Sequence, residues 1–190
     1  MDPIPEKSLA LLGTLLAGQN ERVGIVIVGG SALLLRGDIT RATQDVDIIA
    51  LVDPSDRSQL IQPGAELPAA LRRAAAVVAT ELSLSPDWLD SRMTAQWIAG
   101  MPPDLAAGLT WHEYGGLVVG VAGREALIAL KLFAAVDGAR AEKHFQDLVA
   151  LEPSDPELER AFQWVVTQDA SEAFPDTIIK VTADVRTHRR

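Results

Sequence analysis

The chain has 190 residues and no cysteine. Disulfides and thiolate zinc sites are therefore excluded. The absence fits a reducing compartment, and a cytoplasmic location is expected. No apolar run reaches the roughly 20 residues of a membrane-spanning helix, so no membrane partner is expected. The opening Met-Asp-Pro-Ile-Pro-Glu-Lys lacks the basic start and apolar run of a signal peptide. Internal repeats and low-complexity linkers are absent too. Positive charge is scarce, with 17 Lys and Arg against 26 Asp and Glu and a net charge of −9. That balance argues against broad electrostatic binding to nucleic acid, which relies on surfaces rich in Lys and Arg. A nucleic-acid substrate then requires a local basic patch, and the visible basic cluster is Arg186-Thr-His-Arg-Arg190.

What is present is a core. Hydrophobic residues make up 48% of the chain, enough for one sizeable core, and the length suits one domain or one domain with a helical extension. Ser8 to Ala17 reads as a helix ended by Gly18-Gln-Asn20. Val23 to Val28 is a β-branched apolar run, read as a strand covered on both faces. Ala32 to Arg36 reads as a short helix stopping at Gly37-Asp38. Val46 to Val52 is a second strand, closed by the turn residues Asp53-Pro54-Ser55-Asp56.

Leu67 to Leu82 is an Ala-rich helix. Residues 83–104 carry Pro86, Pro102 and Pro103 and read as short helical pieces and loops. Leu109 to His112 and Leu117 to Val121 flank Glu-Tyr-Gly-Gly, which predicts a hairpin. Arg124 to Val136, Ala141 to Leu151, Glu157 to Gln168 and Asp176 to Thr187 read as helices, with a turn at Asp137-Gly138 and a break over residues 152–156. The pattern predicts an α/β (α+β) fold. A small mixed sheet occupies residues 1–122, and a helical C-terminal part, residues 123–190, packs on the same domain.

Four features carry chemistry. Gly29-Gly30-Ser31 lies between the first strand and the following helix. Glycines let backbone approach a phosphate, and a helix starting at Ser31 would aim free N–H groups and the positive end of its dipole at an anion. Ser31 could cap that helix or bond a phosphate oxygen, and a tight turn with a serine cap would read the same. Neither a Walker loop nor a dinucleotide Gly-x-Gly-x-x-Gly is present. Next come Asp45 and Asp47. Two apart on a strand, they share a face with Cα atoms about 6–7 Å apart, within reach of one Mg²⁺ or a pair of ions. Aspartate is depleted in strands, so two of them beside Val46, Ile48 and Ile49 stand out.

Lys131 is the lone polar residue of Ala-Leu-Ile-Ala-Leu-Lys-Leu-Phe-Ala-Ala-Val, residues 126–136. A helix apolar all round is buried, and a buried lysine needs a partner, a carboxylate or a phosphate; snorkelling to the helix edge is the alternative. Asp147, on the next helix, is placed to face Lys131 across a helical hairpin, although an ordinary surface aspartate would read alike. His112 and His144 lack metal-ligand spacing and read as packing or surface residues. Trp88, Trp97, Trp111 and Trp164 read as core or interface residues.

In this order the residues resemble the polymerase-β-like nucleotidyltransferase superfamily. Its signature is an apolar residue, Gly, Gly or Ser, then nine to thirteen residues, then Asp-apolar-Asp. Gly30-Ser31 and Asp45-Val46-Asp47 stand thirteen residues apart. The fuller pattern, with Arg41 and Thr43 before the Asp pair, then Lys131-Leu-Phe-Ala134, Arg140 and Asp147-Leu148, looks like the AbiEii- and MenT-type branch of toxin–antitoxin systems. The resemblance covers about residues 23–151.

It implies that Asp45 and Asp47 bind Mg²⁺ and that Gly29, Gly30 and Ser31 hold the triphosphate of an NTP. Arg41 and Thr43 support the loop before the metal strand. Lys131 contacts the phosphates and Asp147 completes the catalytic set. The implied reaction is attack by a hydroxyl on the α-phosphorus of an NTP, with pyrophosphate leaving. The implied acceptor is RNA, tRNA above all, and the implied partner a cognate antitoxin protein. Two readings stay open beside it: nucleotidylation of a protein or an antibiotic-like small molecule, and a non-catalytic nucleotide-binding module. Many members of the superfamily use a third carboxylate on a central strand. No clear one is visible here, and Glu113 sits at the predicted hairpin turn.

Overall fold

The computed structural model describes residues 4–64, 66–136 and 141–189. The Asp137-Gly138 turn, Arg140, the first three residues and Arg190 lie outside them. Two compact units emerge: residues 1–98 with 109–122, and residues 99–108 with 123–190.

The first unit holds a six-stranded mixed sheet. Its centre is β1 (Val23–Val28), buried at every position, paired in parallel with β6 (Leu117–Val121), which is buried throughout. Both runs are rich in β-branched residues, as expected of strands covered on both faces. On the other side of β1 lies β2 (Val46–Val52), antiparallel, with a register shift between Val26 and Ile27. β5 (Thr110–Tyr114) completes the hairpin with β6 and forms one edge. The sequence pattern stops this strand at His112; it runs on to Tyr114, with the turn at Gly115-Gly116.

The outer side of β2 is shared by two short strands. β3 (Leu60–Ile61) pairs antiparallel with Leu51 and Val52. β4 (Leu89–Asp90) pairs in parallel with Val46 and Asp47. β4 lies in the stretch read as loops and helical pieces. Two residues carry no period, so pairing with β2 rather than local pattern creates the strand.

Helix α1 (Ile4–Gly18) packs on β5, β6 and α3 (Ala69–Leu82). It docks on the hairpin through Gly13, whose backbone lies so close that a Cβ there would fall 1.6 Å from the Tyr114 carbonyl oxygen. Helix α2 (Gly29–Arg36) follows β1 directly. A 3₁₀ turn over Arg92–Ala95 and the short α4 (Gln96–Ala99) follow β4. Trp88 is fully buried, and its indole donates to the Ala75 carbonyl at 3.0 Å, which ties the start of β4 to α3.

In the second unit α5 (Arg124–Val136) is the central helix and packs against α6 (Ala141–Ala150), α7 (Asp155–Val165) and α8 (Phe174–His188). Ser154 and Glu157 form a reciprocal capping box at the start of α7. Glu157 also accepts from Arg124 Nε at 2.6 Å.

Candidate active site

Asp47 occupies the centre of the Gly-Gly-Ser and Asp-x-Asp region. Within the sheet it pairs with Val28, the last residue of β1, on one flank and with Asp90 of β4 on the other. Gly29, next after Val28, has φ +73°, a left-handed conformation that favours glycine. A Cβ on Gly29 would fall 2.1 Å from Asp47 Oδ2. The missing side chain is thus the space the carboxylate occupies. Gly30 makes a second close approach. A Cβ there would meet Arg41 Nη2 at 3.1 Å and Thr43 Oγ1 at 3.3 Å. The structure therefore brings Gly29, Gly30, Arg41, Thr43 and Asp47 together.

Ser31 departs from the expected cap. Helix α2 begins at Gly29, with Val28 at its N-cap and no side-chain cap bond. Ser31 is fully buried and its hydroxyl donates to the backbone carbonyl of Asp45. This bond crosses from α2 to the residue just before β2. Asp45 thus precedes the strand rather than lying in it, with its side chain exposed, while Asp47 is half-buried.

Asp90 was not legible from sequence. Residues paired in register share a face of the sheet, so β4 sets a third carboxylate beside Asp47. The Asp90 carboxylate accepts from the Arg92 backbone N–H and from Arg92 Nε, each at 2.9 Å. The hydrogen bond to Asp90 holds the Arg92 guanidinium above its ordinary pKa. The charge of Asp90 adds to the effect, and the charges of Asp47 and Asp87 add further. The only sequence signal was an Asp directly after Trp88-Leu89, too short to mark a strand. Glu113, by contrast, lies in β5 and pairs with Arg57.

The donor set fits Mg²⁺. Among the described residues no group of three or more His, Cys, Asp or Glu is placed to cage a metal. Magnesium is held by one or two carboxylates plus substrate phosphates and water, not by an all-protein cage. Asp45 and Asp47 supply hard oxygen donors, and Asp47 does so beside the left-handed backbone of Gly29.

In the second unit Lys131 and Asp147 meet. Lys131 Nζ lies 2.8 Å from Asp147 Oδ2, and the side chains are 5% and 1% exposed. The lone lysine of an apolar helix thus finds a carboxylate across the α5–α6 pair. His144, read as a packing or surface residue, is half-buried, with its Nδ1 3.5 Å from Lys131 Nζ. His112 stacks on Tyr114 in β5.

Residues 9–95 match the family model described as a nucleotidyltransferase of unknown function (DUF6036). The matched stretch is just under half of the chain. It holds Gly29, Gly30, Ser31, Arg41, Thr43, Asp45, Asp47 and Asp90, and it ends before Lys131. The match supports the nucleotidyltransferase superfamily, generic nucleotidyl transfer as the class of chemistry, and an NTP as substrate. Comparison with curated proteins and with solved structures found no match. Among the described residues no helix is long and apolar enough to cross a membrane.

Proposed function

We propose that this chain is a metal-dependent nucleotidyltransferase that moves an NMP from an NTP to a hydroxyl of an acceptor. The observation that carries the reading is the contact of Asp47 with Gly29. The glycine turn that would present backbone to a phosphate and the carboxylate suited to its metal lie against one another. The acceptor oxygen forms a bond to the α-phosphorus as the bond to the β-phosphate bridging oxygen breaks. Pyrophosphate leaves with the electron pair, and the hydroxyl proton passes to a carboxylate.

Asp45 and Asp47 would hold Mg²⁺, which when bound supplies Lewis-acid activation and neutralises phosphate charge. Gly29 and Gly30 present backbone to the triphosphate. Ser31 fixes the backbone of Asp45, while Arg41 and Thr43 brace Gly30. Lys131 is proposed to neutralise phosphate charge, and Asp147 to orient the acceptor or take its proton; this part rests on the resemblance alone.

For the acceptor we propose RNA, with tRNA first, in a toxin–antitoxin setting with a cognate antitoxin protein. The order Gly29-Gly30-Ser31, Asp45-Val-Asp47, Lys131-Leu-Phe-Ala134 and Asp147-Leu148 supports this. One observation favours the second reading, a protein or small-molecule acceptor. Arg36, Arg57, Arg72, Arg92, Arg124, Arg160, Arg186 and Arg189 each pair with a carboxylate, which offsets the charge an RNA surface would use.

The test is incubation with each α-³²P-labelled NTP and Mg²⁺, and with total bacterial tRNA, lysate protein or the small-molecule fraction of a lysate. Label on tRNA, lost in Asp45→Ala/Asp47→Ala, is the expected result. Label on protein or a small molecule instead selects the second reading. No NTP binding at millimolar concentration by titration calorimetry would overturn both.

A further inference from the structure

A cleft of about 700 Å³ opens beside the Asp47 flank of the sheet, within the size range of small-molecule sites. One wall is α3 with Arg72, Ala75 and Ala76; the facing wall is Leu89, Asp90 and Arg92. Because Leu89 and Asp90 pair in register with Val46 and Asp47, this wall is the strand next to Asp47, about 4.8 Å away. Gly29 and Gly30 lie on the opposite flank, after the strand that pairs Val28 with Asp47. Asp47 is therefore bracketed by the glycine turn on one side and by the cleft wall on the other.

Phosphoryl transfer sets limits on where substrates sit. The attacking and leaving oxygens lie roughly in line through phosphorus. With the triphosphate on the Gly29–Gly30 flank, the attacking hydroxyl comes from the β4 flank. The charge of the cleft agrees. Arg72 pairs with Glu66 at 2.9 Å, and Arg92 with Asp90. Asp87 is a further carboxylate in the lining, hydrogen-bonded by the Ser85 hydroxyl at 3.1 Å. With both guanidiniums neutralised and one carboxylate in excess, the cleft is ill-suited to a triphosphate. It suits a hydroxyl-rich group without negative charge. The Ser91 and Thr94 hydroxyls offer hydrogen bonds to it, and Leu67, Pro86 and Leu89 offer apolar surface.

We propose that the cleft between α3 and β4 is the acceptor subsite, and that it takes a polyhydroxylated group, the sugar end of an RNA or a free small molecule. This deepens the nucleotidyltransferase reading and rests on it. The geometry assigns Asp90 and Arg92 to the border between the acceptor and the metal carboxylates.

The test uses the full chain with Ala76→Trp, which fills the cleft from an exposed position of α3, and with Asp87→Ala. Label transfer from α-³²P-NTP to total tRNA and to the small-molecule lysate fraction is measured beside calorimetric binding of a non-hydrolysable NTP with Mg²⁺. The expected result is a rise of at least about tenfold in acceptor KM for both variants, with NTP affinity within about twofold of the parent. Which fraction accepts the label identifies the source of the sugar. Transfer unchanged in both variants overturns the subsite. Weakened NTP binding with acceptor KM unchanged also overturns it, by making the cleft the nucleotide site. A parent protein that binds no NTP, or binds it and labels nothing, overturns the transferase reading itself.

Discussion

The Ser31 hydroxyl donates a hydrogen bond to the backbone carbonyl of Asp45, tying α2 to the residue that leads into β2. The bond joins the glycine turn to the Asp pair across thirteen intervening residues. Ser31→Ala removes it and leaves a part-buried carbonyl unpaired. The expected loss of stability is about 1 kcal/mol by urea denaturation. Transfer activity falls by at least about tenfold, because Asp45 loses its anchor. Normal activity in a folded Ser31→Ala protein would show that this bond serves the fold alone.

Gly29→Ala meets two obstacles. The backbone at φ +73° costs about 1–2 kcal/mol for any residue with a Cβ. The new methyl also lands on the Asp47 carboxylate. Adding Asp47→Ala removes the second obstacle and leaves the first. The double variant is therefore expected to recover part of the stability that Gly29→Ala loses, and neither variant to transfer label. Strict additivity of the two changes in denaturation would rule out the contact.

The pair Lys131–Asp147 is almost wholly out of solvent. Removing one partner breaks a buried ion pair, a change that costs about 3–5 kcal/mol. Lys131→Met alone and Asp147→Leu alone are each expected to destabilise by that order. Lys131→Met/Asp147→Leu together is expected to lose less than either. Chemical denaturation of the four proteins tests this. A double variant as weak as the sum of the singles would refute it.

Hydrogen bonds from Arg124 pull the Glu157 carboxyl down from 4.5 to about 2, with the Ser154 backbone and hydroxyl adding to the effect against burial. A folded-state value below the unfolded one means stability that is present above about pH 4.5 and lost as pH falls toward 2. Arg124 is about a third exposed, so screening trims the contribution to on the order of 2–3 kcal/mol. Glu157→Gln is expected to lower stability at neutral pH and to flatten this part of the acid profile. Thermal melts from pH 7 to pH 2 read both effects.

Much of the fold is legible in the sequence because it rests on long apolar runs. The observed bounds of β1, β2 and α5 coincide with the runs at Val23–Val28, Val46–Val52 and Arg124–Val136. Lys131 declares its need for a partner by being alone among apolar neighbours. What the sequence hides is made by tertiary contact. The N-terminal turn of α2 uses two glycines, which are poor helix formers, so the helix reads as starting too late. β4 is a strand only because β2 lies beside it, and Asp90 is hidden for the same reason. The placement of Ser31 against Asp45 is a contact between distant residues that no local period announces.

Trp97 adds one further consequence. Along the outer side of β2, β4 pairs at Val46 and Asp47 and β3 pairs at Leu51 and Val52. In the gap between them, the Trp97 indole N–H donates to the Ile49 carbonyl at 2.6 Å. A side chain thus stops the opening that two short strands leave. Sheet borders with unanswered backbone groups invite strands from other molecules. Here the Ile49 carbonyl, two residues along β2 from Asp47, is already answered by an indole, which leaves one fewer open backbone group for a foreign strand to pair with.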